Sequence, residues 1–275
     1  MGWTEVKTMW HWVRDHRRQK ILEVPFPPEW EAVLRDNVAH YRRLGGDERR
    51  HLRDLVQVFV AEKHWEGCGG LALTDEIRVT IAAEACLMIL ALPHDVYRGV
   101  ESILVYPSAV VAPERRLGVF EVATEPLPGP MPILGQAHLR GPVILVWDSV
   151  RQSARHPEGG HNVVYHEFAH KLDMLDGEAN GTPPLESREQ YARWVEICTR
   201  ELVRLRAEAD AGLPTFLDAY GATNEAEFFA VITEEFFDRP AALIEHHPDL
   251  YGILREFYRQ DPAAAAGGLA ATAGP

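Results

Sequence analysis

The sequence predicts a mainly helical α+β protein with a small β-sheet. In most of the chain, apolar residues recur at helical spacing, as they do over residues 52–60. This period gives way to short β-branched runs bounded by Pro and Gly at residues 102–111 and 142–147, which indicates strands. With 275 residues and 46% hydrophobic content, the chain is long enough to bury a full core.

Helical patterns dominate the part of the chain before the first predicted strand. One pattern covers residues 28–61, with a glycine pair that interrupts it, and a second covers residues 74–92. Thr74 or Asp75 can cap the second helix, because a short polar side chain accepts hydrogen bonds from the free amides of the first turn. Pro93 ends it.

The predicted sheet stands next to a helix that carries histidines. The strand at residues 142–147 directly precedes a helical pattern that starts between Gly160 and Asn162 and ends near Gly177. A strand in that place can form one wall of a cleft, so we expect the small sheet to lie beside this helix. A weaker strand pattern covers residues 119–122.

Three further helices are predicted in the second half of the chain. Ser187 and Gln190 have the spacing of a capping box, which opens the first of them. Asn224 can cap the second, which runs to about Phe237. The third covers residues 249–259.

The same patterns divide the chain into three parts. Residues 1–20 are rich in Trp and basic residues and are predicted to form an N-terminal arm. Residues 21–262 are predicted to form one domain. Residues 263–275 are rich in Ala and Gly and are predicted to be a disordered tail.

Composition excludes several classes of function. The net charge of −13, from 41 acidic and 28 basic residues, disfavours nucleic-acid binding. The longest apolar stretch, residues 82–92, contains Glu84 and is too short to span a bilayer. The first twenty residues lack the apolar core of a signal peptide, and three widely spaced cysteines suggest no disulfide framework. We therefore expect a cytoplasmic protein that binds neither nucleic acid nor membrane.

The motif His166-Glu167-Phe168-Ala169-His170 predicts a catalytic zinc site. On a helix, His166 and His170 lie one turn apart on the same face, where two neutral imidazoles suit Zn²⁺. Glu167 can reach a water on the metal and serve as general base, then as general acid toward the leaving amine. Such a site holds one zinc with three protein ligands and an open position.

Glu227 is the candidate third ligand, because it lies in the first turn of an acidic and aromatic helix 61 residues after His166. Glu234 on the same helix competes with it, as ligand or as a partner behind a ligand. Tyr220 could donate a hydrogen bond to the oxyanion that forms during hydrolysis. Asp173, one turn after His170, could orient an imidazole.

Other histidines are weaker candidates. His161 is expected to be a loop or helix-start residue rather than a fourth ligand, because it is off the face of the motif. His246 and His247 are expected at the surface, since they precede a proline in a predicted loop. The paired phenylalanines at 228–229 and 236–237 are expected in the core rather than in contact with a substrate.

The motif and several other segments resemble the Mlc titration factor A family of bacterial zinc peptidases. The similarity covers residues 166–173 and 220–229, and it extends to the segments 104–108, 141–145 and 260–262 in the same order. It implies a zincin-like, gluzincin-type α+β fold, a cytosolic location and aminopeptidase activity. It also implies binding of a transcriptional repressor, as enteric members bind the glucose repressor.

The block around Tyr220 also resembles the zinc-binding helix of the anthrax lethal factor catalytic domain. That resemblance implies that Glu227 binds zinc and that Tyr220 assists at the transition state. The leading hypothesis is therefore a zinc-dependent peptidase that acts on a peptide or protein. Two rivals remain open: a regulatory protein that sequesters a repressor, with catalysis secondary, and a zinc hydrolase of non-peptide amides.

Overall fold

The computed structural model describes residues 14–93, 95–108 and 141–264. Most of the predicted arm, the weaker strand at 119–122 and almost all of the predicted tail lie outside these ranges. Within them, three strands and a larger set of helices follow one another along the chain. The helices are α1 (14–22), α2 (Pro28–Asn37), α3 (Gly46–Glu62), α4 (Asp75–Met88), α5 (Trp147–Arg155), α6 (Val163–Asp173), α7 (Arg188–Asp210), α8 (Glu225–Asp238), α9 (Pro240–His246) and α10 (Pro248–Tyr258), and the strands are β1 (His64–Gly67), β2 (Ser102–Tyr106) and β3 (Val143–Val146).

The three strands form a parallel sheet in the order β1-β2-β3. Ile103 in the central strand is paired with Trp65 on one side and Val143 on the other. Ile103 and Val143 are fully buried, so one face of the sheet belongs to the core. Strand β1 was not predicted, because its sequence His-Trp-Glu-Gly has no β-branched residue and it lies at the edge of the sheet as described.

The histidine helix α6 packs directly beside the sheet. It contacts β3, and Lys171 Nζ donates a hydrogen bond to the carbonyl oxygen of Gly141, at 3.0 Å, just before that strand. The prediction of a mainly helical α+β fold with a small sheet next to this helix is confirmed.

Helix α4 ends at Met88, four residues before its predicted end. The amide of Gln260 donates hydrogen bonds to the carbonyl oxygens of Leu87 and Met88, at 3.0 and 3.1 Å. These long-range bonds satisfy carbonyls that a longer helix would have bonded to its own next turn. The end of α4 is therefore joined to a segment more than 170 residues away in the chain.

Helices α5 and α9 were not predicted. Each is short and follows the preceding element without a loop, so neither shows enough turns for a clear helical period. Helix α9 ends next to His247, which was expected at the surface. It is 7% exposed, and its Nδ1 lies 2.9 Å from Glu201 Oε2 on α7, so that prediction was wrong.

Aromatic side chains fill the space between α3, α6 and α8. The ring of Phe168 lies 4.8 Å from Tyr97 and 5.8 Å from Phe59, measured between centroids. The ring of Tyr165 lies 5.1 Å from Phe237. The paired phenylalanines of α8 are all buried, so their prediction as core residues is confirmed.

Helix α7 is the longest in the described ranges and is amphipathic. Its residues Trp194, Leu202 and Leu205 are buried, whereas Tyr191 and Val203 are exposed. Among the residues that the structure describes, no helix combines the length and the apolar character needed to cross a bilayer.

The described part of the N-terminal arm is docked on α3. The guanidinium of Arg18 forms a two-fold ion pair with Glu62, with both N–O distances at 2.7 Å. The amide of Gln57 donates to the carbonyl oxygens of Ile21 and Val24. The boundary of a separate arm at residue 20 stays a prediction, since α1 continues across it.

The three cysteines, Cys68, Cys86 and Cys198, are all free. Burial raises the pKa of the Cys198 thiol to about 12, and it also raises the pKa of Cys86. Both thiols therefore stay protonated near neutral pH and are poor nucleophiles.

A buried polar cluster lies behind the start of α6. The side-chain amide of Asn162 donates a hydrogen bond to Glu84 Oε2 of α4 at 2.6 Å. His40 Nε2 lies 2.8 Å from Asp238 Oδ1 of α8. Glu84 Oε1, Asp238 Oδ2 and the Tyr165 hydroxyl are also buried, without a hydrogen bond of regular geometry to the described residues. Burial raises the pKa of Glu84 to about 7 and lowers that of His40 to about 4.

We expect Glu84→Gln to change how stability depends on pH. The pKa of Glu84 in the folded state lies above its ordinary value of 4.5, so its ionisation opposes folding. As pH rises from 4.5 through 7, wild type should lose stability relative to the variant, by at most about 1.4 kcal/mol per pH unit. Denaturant unfolding of both proteins across this range measures the difference.

The control for this comparison is Glu101→Gln, because Glu101 is exposed. It changes the net charge by the same amount outside the buried cluster, so the comparison of the two variants isolates the effect of the cluster. A pH-independent difference between Glu84→Gln and wild type would show that Glu84 is ionised without penalty in the folded protein.

Candidate metal centre

Helix α6 holds His166 and His170 on one face. Asn162 caps its start, because its side-chain oxygen accepts hydrogen bonds from the amides of Val164 and Tyr165 at 3.1 Å each. The two imidazole rings lie 4.9 Å apart between centroids, and their Nε2 atoms are 3.3 Å apart. The helical spacing therefore brings the same nitrogen of both rings to one point.

Helix α8 brings Glu227 to that point. The side chain of Asn224 caps α8 and accepts a hydrogen bond from the Glu227 amide at 2.9 Å, which holds Glu227 in the first turn. Helices α6 and α8 pack against each other. Glu227 Oε2 lies 2.9 Å from His166 Nε2 and 3.4 Å from His170 Nε2.

These three atoms fit the coordination sphere of one zinc ion. Two imidazole nitrogens and one carboxylate oxygen are ligands that zinc accepts in catalytic sites. Bonds of about 2.0–2.1 Å in a tetrahedron place ligand atoms about 3.3 Å apart. The observed separations of 2.9, 3.3 and 3.4 Å agree with that spacing. Among the His, Cys, Asp and Glu side chains that the structure describes, these three form the group that could hold a metal ion.

The charges around His166 favour a cation at this place. Burial would lower the pKa of His166, but the carboxylates of Glu227 and Glu234 outweigh burial and raise it to about 10. Burial likewise opposes ionisation of Glu227, but hydrogen bonds with the two imidazoles hold its pKa at about 2. Carboxylates that stabilise a proton here would also stabilise a divalent metal ion.

Glu234 contacts the other nitrogen of His166. Its Oε1 lies 2.8 Å from His166 Nδ1, and its Oε2 accepts a hydrogen bond from the backbone amide of Asn162 at 2.5 Å. Glu227 lies on the Nε2 side, where the two histidines converge. Of the two glutamates that the sequence left open, Glu227 therefore lies where it could complete a metal site, and Glu234 lies where it could orient the ring of His166.

Glu167 is 2% exposed, although its neighbours in the motif reach the candidate centre. Burial raises the pKa of its carboxylate, and the nearby imidazoles of His166 and His170 oppose that rise. Its Oε2 is buried without a hydrogen bond to the described residues. A carboxylate with a raised pKa and a free oxygen is suited to accept a proton.

Tyr220 lies at the edge of the centre, in a 3₁₀ turn over Ala219–Ala222. Its ring centroid is 6.0 Å from that of His166, and the residue is 54% exposed. Burial and the charge of Glu227 raise the pKa of its phenol, so it carries its proton at neutral pH. The side chain of Asp218 fixes the turn by accepting from the Tyr220 amide at 2.8 Å.

Arg239 holds the loop that leads to Tyr220, a role that the sequence did not reveal. Its guanidinium is paired with Glu235 and lies 4.6 Å from the ring centroid of Phe216. Gly160, with φ of +62°, lies so close that a Cβ atom there would meet Arg239 Nε at 2.2 Å. The turn before α6 and the loop before Tyr220 therefore both contact the side chain of Arg239.

Within the described residues, neither Asp173 nor His161 forms a hydrogen bond or ion pair with the three candidate ligand atoms or with the rings of His166 and His170. The two oxygens of Asp173 accept hydrogen bonds from the backbone amides of Gly181 and Thr182, at 2.9 and 2.8 Å. Asp173 thus fixes the loop after α6 rather than an imidazole. His161 has an exposed side chain and reaches Glu234 Oε2 at 3.3 Å.

A buried helix with this motif, faced by a glutamate on a second helix, is the arrangement of a metallopeptidase. The chain belongs to the family described as glucose-regulated metallo-peptidase M90, whose sequence model matches residues 11–259. The resemblance to the Mlc titration factor A family is thereby confirmed, and the family implies a metal ion as cofactor.

Three relatives illustrate the similarity. The chain is 38% identical over 258 residues to an uncharacterised protein of Synechocystis, covering 92% of this chain and 90% of the relative. It is 35% identical over 225 residues to Mlc titration factor A of Edwardsiella ictaluri, covering 80% and 83%. It is 31% identical over 261 residues to Mlc titration factor A of Pectobacterium atrosepticum, covering 93% and 92%.

Two variants of α8 should separate a ligand from a partner of a ligand. We expect Glu227→Ala to lose most of the zinc affinity, because it removes one of three donor atoms. Glu234→Gln should keep one zinc per chain and weaken its binding about 10- to 100-fold, because it loosens His166. Competition for zinc against a chromophoric chelator measures both changes.

The control is Glu225→Gln, which alters an exposed glutamate in the same turn as Glu227 and should leave the affinity unchanged. If Glu227→Ala binds zinc as tightly as wild type, Glu227 is not a ligand and Glu234 becomes the candidate.

Proposed function

We propose that the protein is a zinc-dependent peptidase of the aminopeptidase type, in which His166, His170 and Glu227 hold one zinc ion. The main support is the convergence of these three donor atoms beside a buried carboxylate, that of Glu167. Membership of a metallopeptidase family supports the reaction class. The donor set of two imidazoles and one carboxylate supports zinc as the metal.

When bound, zinc polarises a carbonyl group and lowers the pKa of a water molecule from 15.7 to about 7. Glu167 accepts a proton from the attacking water and then donates it to the leaving amine. The burial that raises its pKa suits both steps, because a base with a pKa closer to neutral also works as an acid afterwards. Glu234 keeps the ring of His166 in position through the Nδ1 contact.

Tyr220 donates a hydrogen bond to the oxyanion that forms when water attacks the peptide carbonyl. Its phenol keeps the proton at neutral pH, and its partial exposure at the edge of the centre leaves it accessible to a substrate. A donor that acts only as charge develops raises kcat more than it lowers KM.

The resemblance to the Mlc titration factor A family supports an aminopeptidase and a cytoplasmic location. Three free cysteines agree with a reducing compartment. The substrate is a peptide or a protein with a free N-terminus.

A second function is binding of a transcriptional repressor, with catalysis secondary. It is favoured by the name of several relatives, Mlc titration factor A, which describes an effect on a partner called Mlc. This function would use a surface for a protein partner and would not need Glu167 as a base.

Hydrolysis of a panel of aminoacyl p-nitroanilides tests the peptidase. The zinc-loaded wild type should hydrolyse some members, and Glu167→Gln should be slower by about 10²-fold or more, because it cannot take the proton. The N-acetylated form of each cleaved substrate should resist, since an aminopeptidase requires the free amine. Zinc content, measured on both proteins, should be equal.

Equal hydrolysis of free and acetylated substrates would contradict the aminopeptidase and leave an endopeptidase. Equal rates for wild type and Glu167→Gln would contradict the role of Glu167. If Glu167→Gln captures a purified repressor of the Mlc type as well as wild type does, binding is separate from catalysis. If capture is lost with hydrolysis, the separate binding function is wrong.

Tyr220→Phe should lower kcat roughly 10²-fold and change KM little, because it removes a hydrogen bond made in the transition state. Steady-state kinetics on the best p-nitroanilide measures both constants. Tyr191→Phe is the matched control, because Tyr191 is 56% exposed and lies on α7, which carries none of the residues proposed for the centre. A rise of KM alone would assign Tyr220 to substrate binding instead.

A further inference from the structure

A cavity of about 690 Å³ shares none of its lining residues with the candidate metal centre. It is bordered by the 3₁₀ turn Ala39–Arg43, the end of α4 and the chain after α10. Tyr165 of α6 and Phe237 of α8 also line it, so the two helices of the metal centre contribute to its wall. Its volume lies in the range of pockets that hold small molecules.

The segment after α10 is held in place across this cavity. Arg259 has φ of +54° and is the non-glycine residue with positive φ within the described ranges. The neighbouring Gln260 fixes the segment by its bonds to Leu87 and Met88 at the end of α4. A strained residue kept in place by such bonds indicates a wall of defined shape.

The wall is apolar over much of its area. Leu44, Leu90 and Pro262 are half-buried and line the cavity together with the buried ring of Phe237. Apolar side chains that line a concave surface gain free energy when an apolar group removes them from water. The cavity therefore favours a ligand with an apolar body.

Three carboxylates also line the cavity, and each already has a partner. Asp47 is paired with Arg50, and Glu48 accepts a hydrogen bond from the Gly45 amide. Asp261 accepts from the Tyr251 hydroxyl at 2.6 Å. These negative charges would repel a ligand that carries two negative charges.

The two arginines of the cavity differ. Arg259 is paired with Glu186. Arg43 has no carboxylate within ion-pair distance among the residues that the structure describes, and its Nη1 lies 3.4 Å from His40 Nδ1. The guanidinium of Arg43 is charged at neutral pH whatever the state of His40, and this contact leaves most of its N–H donors available to a ligand.

We propose that this cavity binds a small amphipathic monocarboxylate, whose carboxylate pairs with Arg43 and whose apolar body lies against Leu44, Leu90 and Phe237. One negative charge matches the single unpaired arginine. An apolar body of several carbons matches the wall and the volume. This site is separate from the peptidase reaction and does not depend on it.

Isothermal titration of the zinc-loaded full chain with octanoate tests the proposal. Wild type should bind octanoate at millimolar concentrations or below, and octanamide, which lacks the charge, about tenfold more weakly or worse. Arg43→Gln should weaken octanoate binding about tenfold or more for the same reason. Arg42→Gln is the matched control, because Arg42 is the exposed neighbour outside the cavity lining and should leave binding unchanged.

Ala91→Trp provides a second variant that does not depend on Arg43. Ala91 lines the cavity and is exposed, so a larger side chain can enter the cavity without disturbing the core, and it should abolish octanoate binding. The proposal is overturned if wild type does not bind octanoate, if octanamide binds equally well, or if neither Arg43→Gln nor Ala91→Trp weakens binding. The last result would place octanoate outside this cavity.

Discussion

The arrangement of the candidate metal centre depends on one buried carboxylate, that of Glu234. One of its oxygens accepts from the Asn162 amide at the start of α6, and the other contacts Nδ1 of His166 one turn later. Glu234 therefore fixes how far α8 is shifted along α6. Because Glu227 lies two turns earlier on α8, that shift also sets its distance from both histidines. Removing one member of such a buried pair typically costs about 3–5 kcal/mol.

Several other polar groups are buried at the same end of α6. Asn162 is 0% exposed and connects two glutamates. Its backbone amide donates a hydrogen bond to Glu234, and its side-chain amide donates one to Glu84. Beyond Glu84 lie His40 and Asp238, which are buried and paired. Groups of this kind oppose folding unless they are bonded. The aromatic core around α6 and α8 supplies the apolar burial that offsets their cost.

Much of this could be predicted from local sequence. The helical period of α6, its capping residue and the spacing of His166 and His170 depend on interactions within a few residues, so the pattern alone indicated a helix with two histidines on one face. Glu227 was a candidate for the same reason, because its position after Asn224 in the first turn of α8 is local. The strands β2 and β3 were visible in their β-branched runs, whereas the edge strand β1 lacked that signal.

The sequence by itself determined which residue types could form a metal centre and which secondary structure carries them. Only the tertiary structure shows which nitrogen of His166 is met by each of Glu227 and Glu234, since both lie on one helix and the packing of α6 against α8 sets these contacts. It also decided that Asp173 bonds a loop and that Gln260 contacts the end of α4. The physical reason is the same in each case: these hydrogen bonds join residues whose separation along the chain carries no local signal.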